Sequence, residues 1–164
     1  MMWSGNTRMI VCLLGLAMMT LNSFGAAAER QRRLMQKDVI VQDLGAEDVR
    51  GLMREGVNPP LAIVPLADAH AIKQELLSFL RKSSIASERK VLANFDDYYI
   101  QYVGYARSGR KIVLLNGVCS SQFESLGLGE RNVGLVFDGG PCFFSVHYDV
   151  VSKRFLELFV HGSA

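Results

Sequence analysis

Cysteine, tryptophan and proline are scarce in this 164-residue chain, which holds three, one and four of them. No C-x-x-C pair occurs, which excludes redox chemistry of the thioredoxin type, where a helix start lowers one thiol's pKa. No serine sits in a G-x-S-x-G elbow. "DGG" at Asp138 is not followed by the spaced acidic ligands of a calcium loop, and the glycines of "LGLGE" (Leu126 to Glu130) lack the helix and lysine of a phosphate cradle. Charge of one sign is missing as well. Basic and acidic residues number 18 and 16 and are mixed along the chain, so no footprint for nucleic acid or an anionic membrane is visible.

What is present begins with a leader. Arg8 precedes the apolar run "MIVCLLGLAMM" (Met9 to Met19), and Ala26 and Ala28 stand as in an A-x-A cleavage site. The run is about eleven residues, where a bilayer crossing needs about twenty. Residues 1–28 therefore read as a secretory signal peptide, leaving 29–164 as a single exported domain with no stable membrane anchor. The stretch from 29 to about 60 is expected to be loosely structured, its basic start "ERQRRLMQK" being a solvated terminus. Cys12 leaves with the signal, and the pair that remains, Cys119 and Cys142, is expected to form a disulfide in an oxidising compartment.

The periodicity divides the domain. "DVIVQDL" (38–44) suggests a short strand, "GAEDVRGLMREG" (45–56) a helical turn or two, and the prolines of "VNPPLAIVPL" confine it to an edge or extended segment. "DAHAIKQELLSFLRK" (68–82) predicts a helix with Asp68 as N-cap and Ile72, Leu76, Phe79 and Leu80 on one face, and 83–95 a second, shorter one. From Tyr98 the period becomes two. Runs at 97–106, 111–119, 132–138, 141–149 and 155–162, joined by short turns, predict a five-stranded antiparallel meander. The fold class expected is α+β, with one or two helices packed on that sheet.

The stretches "YYIQYVGYARSGRKIVLLNGVC" (Tyr98 to Cys119) and "DGGPCFFSVHYDVVSKRFLELFVHG" (Asp138 to Gly162) resemble a family of small exported bacterial proteins, with a departure at His161, where that pattern has asparagine. The resemblance implies export, the paired cysteines and an α+β domain, and carries over no catalytic role. "QYVGY" (Gln101 to Tyr105) also resembles the Q-x-V-x-G tip of cystatin-like protease inhibitors at Gln101 and Val103. Position 105 is tyrosine and the glycine comes one place early, at Gly104, so the segment reads as strand.

Three histidines outlast the leader. His70 sits near a helix start without an i+4 partner. His147 and His161, with the Asp149 carboxylate, are the best candidates for a metal site, and would serve a small metal-assisted hydrolase. Tyr98, Tyr99, Tyr102 and Tyr105 could offer a half-wet aromatic surface. No convergent set of catalytic groups and no cofactor motif stands out. The expected function is a non-enzymatic envelope or secreted binding module, its partner an envelope or extracellular protein or a glycan. The metal-assisted hydrolase and a cystatin-like inhibitor are the alternatives.

Overall fold

A computed structural model describes residues 37–54, 56–136 and 139–161; the leader and Cys12 lie outside them. In chain order the elements are β1 (Asp38–Ile40), α1 (Ala46–Arg54), β2 (Leu61–Ala62), α2 (Leu66–Lys82), α3 (Ala86–Ala93), β3 (Tyr98–Arg107), β4 (Arg110–Cys119), α4 (Ser120–Ser125), β5 (Phe143–Asp149) and β6 (Arg154–Val160). The class is α+β. Among the described residues no helix is long and apolar enough to cross a membrane.

The framework is the hairpin of β3 and β4, ten residues each, paired from Tyr98 opposite Cys119 to Arg107 opposite Arg110. Ser108 and Gly109 both take positive φ (51° and 75°), the turn whose twist matches that of two antiparallel strands. β5 then pairs with β4, and β6 with β5, all antiparallel. On the other side of β3, β1 adds in parallel and β2 antiparallel. Gly104 permits β2 to come close, because a Cβ there would collide with the Ala62 carbonyl. The sheet is thus six-stranded and mixed, in the order β1-β3-β4-β5-β6 with β2 beside β3.

This corrects the five-stranded meander with one or two helices. The predicted strand at 132–138 is irregular chain over 132–136, with Phe137 and Asp138 outside the described residues. Its alternation has another cause: Val133 is buried against the sheet, Leu135 packs beside it, and side-chain amides hold the backbone between them, so the segment lies on the sheet instead of in it. Ser120–Ser125, in the connection between the predicted runs at 111–119 and 132–138, is helical. The stretch expected to be loose supplies a strand, a helix and the buried side chains Val41, Leu52 and Val57.

Both faces of the sheet are covered. α2 buries Ala69, Ile72, Leu76, Leu77 and Leu80 at the i, i+3, i+4 spacing of an amphipathic helix. Pro65, not Asp68, is its N-cap, and Asp68 lies in the first turn. Phe79 is at the rim of this face, its ring 5.2 Å from that of Phe155. On the opposite face, Val41, Leu52, Val57 and Val133 pack on Val103, Tyr105, Ile112 and Leu114. A smaller cluster joins Phe123 of α4 to Val118 and Phe143. Burying each such Leu or Phe is worth roughly 1.5–3 kcal/mol.

Candidate functional site

Register brings the two cysteines together. Val118 pairs with Phe143, so Cys119, at the end of β4, and Cys142, just before β5, meet as neighbours with Cα atoms 4.9 Å apart, and they form a disulfide. The bond closes a sequence separation of 23 residues. In the chain-entropy model a loop of that size is worth about 3 kcal/mol. Replacing both cysteines by alanine is expected to lower the unfolding free energy by that amount, read as a shifted urea midpoint with an otherwise native circular dichroism spectrum.

The proposed metal ligands do not converge. Asp149 is consumed locally: Oδ1 accepts from the Val151 and Ser152 amides at 2.9 and 3.2 Å, and Oδ2 pairs with Arg110. His161 hydrogen-bonds through its backbone to Phe143, at the far end of β5. His147 lies four positions further along the strand, about 13 Å away. Among the described residues no group of three or more His, Cys, Asp or Glu is placed to hold a metal ion.

His147 itself is buried. Its Nδ1 lies 2.8 Å from the Tyr105 hydroxyl, with the two rings edge to face. β6 carries one extra residue here, so that Leu156 and Glu157 together oppose His147 in a bulge. Burial disfavours the imidazolium and lowers the His147 pKa from 6.5, with Glu157 raising it and Arg107 lowering it as smaller effects. A depressed folded-state pKa contributes stability that is present above the unfolded value and lost as pH falls through the folded one. The urea midpoint should therefore drop as pH is lowered below 6.5. His147→Gln should show a shallower drop than the parent over that window; parallel curves would remove His147 as a contributor.

The tyrosines do not form a surface. Tyr98, Tyr102 and Tyr105 are buried, and Tyr99 is half-buried with its ring stacked 4.1 Å from that of Phe123. Their hydroxyls find internal partners: Tyr98 donates to the Pro141 carbonyl and Tyr102 to Asp38 Oδ1 at 2.9 Å. Nor does a hairpin tip present Gln101. It is fully buried in mid-strand, donating to the Gly129 and Asn132 carbonyls at 2.9 and 2.7 Å and accepting from the Asn116 side chain and the Gly134 amide at 3.1 and 3.0 Å. The cystatin-like geometry is absent from this strand.

A polar cluster that sequence reading missed lies under α2. Lys73 Nζ donates to Asp38 Oδ1 at 2.7 Å, and both side chains are almost wholly excluded from solvent. His70 Nε2 stands 3.3 Å from Asp38 Oδ2 without hydrogen-bond alignment. Burial lowers the Lys73 pKa, opposed by Asp38, and raises that of Tyr102. One signal was available: Lys73 falls between Ile72 and Leu76 on the apolar stripe of the helix. The group clamps α2 to β1 and β3, and its ammonium is too enclosed to meet a substrate.

One concave feature of the surface lies at one end of the sheet. A groove of about 490 Å³ runs between the β2 segment and the start of α2. Leu61, Ile63, Pro65, Ile72, Ile112 and Val150 line it, and Asp68 and Lys111 are its charged residues. Comparison of the chain with family models, with curated proteins and with solved structures yields no match in any of the three.

Proposed function

We propose that the chain is an exported, non-enzymatic binding module of the envelope or the secreted fraction, and that it takes an apolar ligand or an apolar segment of a partner. The groove carries this reading. Its volume is that of a small-molecule site, and such sites are mostly apolar with a few polar groups to fix orientation, here Asp68 and Lys111. The polar side chains elsewhere support a binding role over a catalytic one: Gln101, Asn116, Asp149 and Lys73 are each committed to holding the fold. The Cys119–Cys142 disulfide supports export, since such bonds persist in oxidising compartments.

The neutral fluorophore N-phenylnaphthylamine tests the groove. Saturable binding is expected, weakened at least ten-fold in Ile63→Asp, because Ile63 is 67% exposed at the groove and can be changed without disturbing the core. Equal binding by parent and variant would remove the groove as the site. Fractionation of the producing cell tests export. Oxidised protein in the exported fraction supports it, and reduced protein held in the cytoplasm sinks it.

A further inference from the structure

Charges that are scattered in the sequence are gathered by the fold. The β3–β4 and β5–β6 turns lie at the same end of the sheet, because Ile112 pairs with Asp149 and the Val150 amide donates to the Lys111 carbonyl at 3.0 Å. Arg107, Arg110 and Lys111 from the first hairpin and Lys153 and Arg154 from the second are all exposed there. Against these five cations stand Asp149 and Glu157 on the same hairpins, with Asp68 and Glu75 on the adjoining α2. The tip between the cations is apolar: Val150 and Val151 are 39% and 76% exposed. It is also held in shape, since the Asp149 carboxylate accepts from the amides of Val151 and Ser152.

We propose that this hairpin end docks on the surface of an anionic lipid bilayer. A bilayer of that kind offers a plane of negative headgroups directly above an apolar interior, matching cations that flank an exposed apolar tip. Nucleic acids and acidic glycans would engage the cations but provide nothing for Val150 and Val151. The proposal goes beyond the binding-module reading and stands whether or not the groove takes a ligand. Each basic side chain near such a surface contributes about five-fold in partition, and screening by salt should weaken the attraction.

The test is cosedimentation of the protein, as its host exports and processes it, with vesicles of phosphatidylcholine alone or mixed with phosphatidylglycerol. Binding is expected to the mixed vesicles, to fall with added salt, and to be much weaker on neutral ones. The Lys111→Glu, Lys153→Glu double variant should lose at least ten-fold, from two cations of about five-fold each. Val151→Asp should lose several-fold while keeping N-phenylnaphthylamine binding, which separates failure of the tip from failure of the groove. Equal binding to both vesicle types, binding to neither, or an unchanged partition in the double variant would overturn the proposal. So would retention on an acidic polysaccharide without vesicle binding.

Discussion

Gln101→Leu is expected to lower the unfolding free energy by about 4 kcal/mol and to strip hydrogen-exchange protection from residues 126–136. Leucine fills much of the same volume, so the loss is one of hydrogen bonds. Four groups would lose their partner: the Gly129 and Asn132 carbonyls, the Gly134 amide and one Asn116 N–H. Gln101 is fully buried, and a buried polar group left unsatisfied costs about 1–3 kcal/mol. Asn116 Nδ2 retains the Gly134 carbonyl, which limits the total. Since domains of this size are stable by roughly 5–15 kcal/mol, the variant should fold but with a greatly lowered urea midpoint. A loss below about 1 kcal/mol would show that the segment over the sheet is held by its apolar contacts and not by this amide.

Lys73→Met should be comparably severe, at about 3–5 kcal/mol, because it leaves the Asp38 carboxylate buried without its ammonium. The informative experiment is the cycle with Asp38→Asn. An ion pair removed as a unit is often nearly neutral, since desolvation of both charges is relieved together. Lys73→Met with Asp38→Asn is therefore expected to recover most of the loss, Tyr102 donating to the new amide oxygen as it did to the carboxylate. Additive losses would mean that the lysine stem, not its charge, holds α2 in place.

The parts of the fold that were legible in the sequence are those set by local pattern. The Ser108-Gly109 turn, the apolar stripe of α2 and the β-rich runs of β3 and β4 on either side of that turn all follow from nearest neighbours along the chain. What depended on distant partners was not. Val133 and Leu135 alternate as a strand would, yet their backbone is held by amides from Gln101 and Asn116, some thirty and some twenty residues away. Asp38 reads as the polar start of a weak strand until α2 is laid over it. The tyrosines of β3 were ambiguous because sheet propensity and a wet surface favour the same residue, and only coverage of both faces decides between them. His147 and His161 show the same limit: a strand end and its middle are near in number and far in space. The groove was invisible because it is assembled from β2, α2 and the hairpins, with no motif in any of them.

The bond between Cys119 and Cys142 has a consequence beyond stability. The chain between them, with α4 and the segment that carries Val133 over the second face of the sheet, is part of a covalent ring whose two ends are fixed to adjacent strands. A protease that cuts once anywhere in that ring leaves two fragments still joined, with the strands on either side in register. Length can also change there cheaply, since the closing of a loop costs little more as it grows. The exposed residues 124–127 of that ring are therefore a place where length can be added without rebuilding the sheet.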